Sequence, residues 1–139
     1  MASDSNPNST TTRSGTMFAT SIWWILVVSG AVTGGAGVAA LLFPRALLRL
    51  AFGVSDCDAP TKFFVRHWGV LIAVVGALVF YAALAPVVRA PVLVAAAGEK
   101  IAIVLVIFFG PLKRTTAMTA IAATDGLFAV LYVAYLSGL

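Results

Sequence analysis

Four runs of about twenty apolar residues, each broken from the next by prolines, glycines and basic residues, constrain this chain more than any other feature. A helix rises 1.5 Å per residue, so ~20 residues match a hydrocarbon layer of ~30 Å. The runs fall at about 22–43, 63–84, 91–109 and 116–136. In lipid every backbone amide needs an internal partner, which makes helices the expected structure. Of the 139 residues, 61% are hydrophobic and only 10% are charged, with a mean hydropathy of +1.04. A soluble domain carries about 25% charged residues. The expected fold is therefore an all-α, integral membrane four-helix bundle occupying residues 21–139.

Residues 1–20 are rich in Ser, Thr and Asn and read as a disordered polar tail. The tail lacks the basic start of a signal peptide, and the apolar run after it is too long for one. Asn8-Ser9-Thr10 fits a glycosylation sequon, a pattern common by chance. Trp23 and Trp24 stand where an interfacial aromatic belt belongs. The middle of the first run, Ser29 to Gly37, is a poor helix in water. In a bilayer, small residues let helices approach closely, and Gly30/Gly34 form a GxxxG pair. That pair serves either packing inside the bundle or a homo-oligomer contact.

Between the first two spans lies Pro44-Arg-Ala-Leu-Leu-Arg-Leu-Ala-Phe52-Gly53. Pro44 suits the first position of a helix, and Gly53 suits its end. Arg45 and Arg49 share a face, with Leu47, Leu48, Ala51 and Phe52 largely opposite. The segment is too short to span and reads as an interfacial amphipathic helix. A polar loop with Asp56 and Asp58 follows, ending at Pro60. Pro86, Arg89 and Pro91 mark a tight turn, and Gly110 to Arg114 another.

Orientation follows from the basic residues. One side carries Arg45, Arg49, Lys62, Arg66, Lys113 and Arg114, the other Arg13 and Arg89. This count puts both termini outside a plasma or inner membrane. The formal charge of +4 is accounted for by these loops and anionic headgroups, and no basic patch elsewhere points to nucleic acid. The single cysteine, Cys57, excludes an internal disulfide, and no Cys/His cluster offers a metal site. Its interfacial position permits palmitoylation, although a plain thiol is the simpler reading. No cofactor is called for.

Ionisable residues inside the spans are the informative ones, since each costs roughly 2.5–3.5 kcal/mol to insert. They are Arg66, Glu99, Lys100 and Asp125. Helical rise puts Glu99 and Lys100 ~15 Å deep in the third span and Asp125 ~14 Å deep in the fourth, on one level. Arg66, Glu99 and Asp125 each share a stripe with small residues, and Asp125 also with Tyr132, so all three are expected to point inward. His67 lies on a bulkier face and, with Trp68, is expected at the headgroups. The natural pairing is Lys100 with Asp125, leaving Glu99 to Arg66 or to a proton. The polar core is thus Arg66, Glu99, Lys100, Asp125 and Tyr132.

Phe43-Pro44, Phe52-Gly53 and Arg66-His67-Trp68-Gly69 continuing to Gly76 resemble motifs of small four-helix bacterial membrane proteins grouped as a domain of unknown function. More loosely, they resemble DoxX-like proteins. The resemblance covers about residues 20–137 and implies a four-helix bundle; it transfers no activity, and Glu99-Lys100 has no match in the pattern. The buried charges read either as a structural ion-pair network that fixes helix register or as a polar cavity that binds a ligand or moves a proton, and three function classes follow. The first is a binding or accessory membrane protein whose polar core holds a lipid, quinone or small metabolite, or which docks against a larger complex. The second is a membrane enzyme moving a proton with a buried carboxylate, as an isomerase does. The third is an oligomeric transporter or channel. The chain lacks a nucleophile–His pair and a Gly-rich phosphate loop, which favours the first.

Overall fold

A computed structural model describes residues 11–138, with side chains from Ser21 onward. Five α-helices follow one another: α1 (Thr11–Leu42), α2 (Pro44–Phe52), α3 (Ala59–Leu84), α4 (Arg89–Phe109) and α5 (Thr116–Leu136). No strand occurs among the described residues. Four segments are long and apolar enough to cross a membrane: Ser21–Leu42, Ala59–Leu84, Pro86–Phe109 and Thr116–Leu136. Their outward faces carry exposed Val28, Val74, Leu105 and Val130 among many other large apolar side chains, a surface that water does not tolerate over such an area.

The polar tail expected over residues 1–20 lies outside the described residues up to residue 10, and from Thr11 the chain is helical. The loop expected to run to Pro60 ends earlier. Asp58 caps α3 by accepting a hydrogen bond from Thr61 N at 2.9 Å, and Pro60 sits within the first turn. Asp followed closely by Pro is a helix-start signal, so this boundary was readable. The turn expected at Pro86–Pro91 is one 3-10 turn, Pro86–Val88, running straight into α4. Arg89 closes it by donating from Nε to Ala82 O at 2.8 Å and from Nη2 to Ala83 O at 3.0 Å. Those carbonyls end α3 without helical partners, and the guanidinium fork satisfies them.

Two antiparallel helix pairs make up the bundle, α1 with α3 and α4 with α5. The α1–α3 pair is the closer. A Cβ on Gly30 would lie 2.7 Å from Phe80 N, and one on Gly69 would lie 2.8 Å from both Gly37 O and Leu41 N. A Cβ on Gly37 would overlap Ala73 N, and one on Gly76 would overlap Gly34 N. Gly30, Gly34 and Gly37 of α1 therefore face α3 within a single chain, where backbone meets backbone. Consecutive helices α3 and α4 share much less close packing.

The amphipathic segment is helical as expected and stops at Gly53, whose φ of 69° is the left-handed conformation that glycine adopts freely. Its buried residues Pro44, Leu48 and Ala51 turn toward the bundle. Phe52 packs against the Ile107, Met118 and Ala122 cluster. Thr115 pins α2 further: its Oγ1 donates to Ala51 O at 2.5 Å while accepting from Met118 N at 3.1 Å to cap α5.

Candidate functional site: a polar layer between two apolar layers

The interior is stratified. At the terminal end, Ile22, Leu26, Val79, Leu93, Ala96, Phe128 and Tyr132 from all four long helices form one apolar cluster. At the α2 end, Ile107, Met118 and Ala122 form another. Between them lie Ser29 and Thr33 on α1, Glu99 and Lys100 on α4 and Asp125 on α5.

Lys100 is the centre. Its side chain is 1% exposed, and its Nζ donates to Asp125 Oδ1 at 2.5 Å and to Thr33 Oγ1 at 3.1 Å. Burying an ammonium is tolerable only with a close opposite charge and hydrogen bonds for its protons. Asp125 supplies the first and Thr33 one of the second. The Phe128 ring centroid, 5.8 Å from Nζ, adds its negative face. An ammonium has three protons, so one donor position remains, on the side where Glu99 Oε2 lies 3.9 Å away.

Glu99 is the anomaly. Its Oε2 is buried and makes no hydrogen bond, while the side chain as a whole is 31% exposed. Glu99 stands about 100° from Lys100 around α4, on the flank shared with Ala96 of the terminal cluster and Val92 packed against it. On the other flank, Ile101, Val104 and Leu105 join Gly126, Val130 and Val133 of α5 around an outward apolar groove of about 490 Å³. The groove includes none of the layer's polar residues.

Arg66 does not join the layer. It is exposed, and Glu99 has no contact with it. The reason is where α1 ends. Gly69 meets the last turn of α1 at Leu41, so Arg66, a turn earlier on α3, lies beyond the cover of α1. The Thr33–Gly34 level faces Gly76, ten residues from Arg66 and therefore ~15 Å away along the helix. His67 and Trp68 are likewise exposed, with His67 stacked on Phe63 at 6.3 Å. Trp23 and Trp24 meet edge to face at 4.6 Å, Trp24 pointing outward and Trp23 half-buried against the terminal cluster.

Tyr132 lies fully inside, donating from its hydroxyl to Ser29 Oγ at 2.6 Å. Ser29 Oγ in turn donates to Leu26 O at 3.4 Å. Ser29 and Thr33 are the residues that sequence reasoning absorbed into a glycine-rich packing surface. Their spacing of four was the available signal, since it puts both hydroxyls on one helix face. Through them α1 receives α4 at Thr33 and α5 at Ser29, so the polar layer joins the two helix pairs.

The fold and site define a class: an all-helical bundle with four helices long enough to cross a membrane and one ammonium held between two carboxylates at its middle. No protein-family model, curated protein or solved structure matches the chain. Among the described residues no group of His, Cys, Asp and Glu is placed to hold a metal ion.

Proposed function

We propose that the chain is a multi-pass membrane protein, of the kind its motifs resemble, that binds a lipophilic small molecule or lipid through its polar layer. In this reading α2 and its cations lie on the cytoplasmic side of the plasma or inner membrane and both termini outside, following the basic residues. The observation that carries the binding function is Glu99: a midlevel carboxylate oxygen, buried, with no hydrogen-bond partner. A structural ion pair needs one acid for Lys100, and Asp125 fills that role at 2.5 Å. Glu99 is surplus to it. Buried polar atoms are nearly always partnered, so an orphan marks a place for an absent partner. A ligand with a hydroxyl or amide donor and an apolar body fits an acid that opens sideways into a hydrocarbon layer.

The test is extraction. The full chain is purified in mild detergent, extracted with organic solvent, and the extract compared by mass spectrometry with those of Glu99→Gln and Glu99→Ala. Wild type is expected to retain a lipophilic molecule that Glu99→Ala loses, with both proteins equally helical. If the extracts are the same, the binding reading fails. If Glu99→Gln keeps the molecule but loses a cellular phenotype, proton transfer by Glu99 becomes the better reading.

A further inference from the structure

Helix α2 presents three different sides. At about 100° per residue, Pro44, Leu48 and Ala51 form the side buried on the bundle. Arg45 and Arg49 form a second side, and both are exposed. Leu47 and Leu50 form the third with Phe43 at the junction; Leu50 is 73% exposed. Ala46 lies outward between the cationic and apolar sides. The buried and exposed apolar sides are continuous through half-buried Leu47, so the apolar arc of α2 runs past the part that the bundle covers and out to Leu50, with the cations on the opposite edge.

Among the described residues neither arginine, nor Asp56 in the loop after α2, is in an ion pair. Both described ion pairs are at Lys100, and Asp58 is occupied by capping α3. The other cation of the neighbouring loop with a defined contact, Arg114, lies over the Phe108 ring at 5.4 Å. Arg45 and Arg49 are four apart on a helix, so their guanidinium groups can converge on one anion. A planar fork of donors suits the oxygens of a phosphate. The helix is also fixed in place, by the Thr115–Ala51 hydrogen bond and by Phe52 in the core, so the pair is presented without a further ordering step.

We propose that Arg45 and Arg49 bind the phosphate of an anionic phospholipid whose acyl chain passes Ala46 and lies against Leu50 and Leu47. Charge complementarity selects the headgroup, and the apolar edge that the bundle leaves uncovered at Leu50 selects a lipid over a free anion. The site is separate from Glu99 and does not depend on the ligand proposed there.

The full chain is reconstituted in nanodiscs of phosphatidylcholine with a minor share of phosphatidylglycerol, and retained lipid is counted by native mass spectrometry. Wild type is expected to retain phosphatidylglycerol above its bulk share. Arg45→Gln/Arg49→Gln is expected to lower that enrichment by up to about thirtyfold, in line with the attraction of two basic residues for an anionic surface. Lys113→Gln/Arg114→Gln removes the same charge on the same side and is expected to leave most of it. Equal loss in both double variants means diffuse attraction and overturns the proposal. So does unchanged enrichment in Arg45→Gln/Arg49→Gln, or binding of inorganic phosphate alone that displaces the lipid. Circular dichroism of each variant separates loss of the site from loss of the fold.

Discussion

Tyr132 on α5 and Ser29 on α1, 103 positions apart in the chain, are joined by a 2.6 Å hydrogen bond inside the bundle. One turn along α1, Thr33 receives Lys100 of α4 at 3.1 Å. These two contacts tie the α4–α5 pair to α1 at a level where the backbones are held apart by side chains. Removing the hydroxyl as Tyr132→Phe is expected to destabilise by about 0.6 kcal/mol, and at most ~1.7, the range for hydrogen bonds between membrane helices. Ser29→Ala strands the buried phenol and is expected to cost more, about 1–3 kcal/mol. Unfolding in a mixed-micelle denaturant series measures both; the reverse order would show that Tyr132 finds another partner.

Lys100 and Asp125 depend on one another. Lys100→Ala leaves Asp125 and Glu99 without a cation, and Asp125→Ala leaves Lys100 with Glu99 alone at 3.9 Å; breaking buried pairs costs about 3–5 kcal/mol. The double replacement Lys100→Met/Asp125→Leu is expected to be much milder than the sum of the single ones. A double-mutant cycle on melting temperature tests this, and additive losses would mean that the pair is not coupled.

Glycines split into two groups. Gly76→Ala forces a methyl into the α1 backbone at Gly34, so a loss of about 1–3 kcal/mol is expected, the usual range for overpacking. Gly35 and Gly98 have nothing within 4 Å of an added Cβ. Alanine at either is expected to be neutral or to stabilise by up to about 1 kcal/mol through helix propensity. Equal effects at Gly76 and Gly35 would contradict the helix pairing.

Asp58 gives a pH signature outside the spans. The hydrogen bond from Thr61 holds its carboxyl below the usual aspartate range. A folded-state value below the unfolded one means stability that is present above the ordinary aspartate pKa and lost as pH falls through the depressed value. Asp58→Asn keeps a capping oxygen and is expected to abolish this acid-side loss, whereas Asp58→Ala is expected to lower stability at neutral pH as well. Melting curves between neutral pH and strong acid distinguish them; an identical acid limb in wild type and Asp58→Asn would assign the loss elsewhere.

The sequence by itself determined heights and angles. Four apolar runs gave four long helices, because their length and uninterrupted hydropathy leave little else for the backbone to do. Pro44 and Gly53 bounded α2 by their backbone preferences. Residue counting from the breaks put Lys100 and Asp125 on one level, since helical rise is nearly constant. Tertiary structure decided what covers each position. Arg66 has the angle of an inward residue but lies beyond the end of α1, so it is exposed. Gly30 carried a motif that serves a partner chain or the same chain equally well, and it faces α3 of its own chain. Tyr132 shares the inward stripe of Asp125 and lies buried, and the bundle adds its partner, Ser29 of α1. Glu99 had Arg66 or a proton as its expected partner, and the bundle instead sets it 3.9 Å from Lys100 with no hydrogen bond to its Oε2. Periodicity fixes where a side chain leaves its own helix; only the neighbouring helix, and where that helix stops, fixes what it meets.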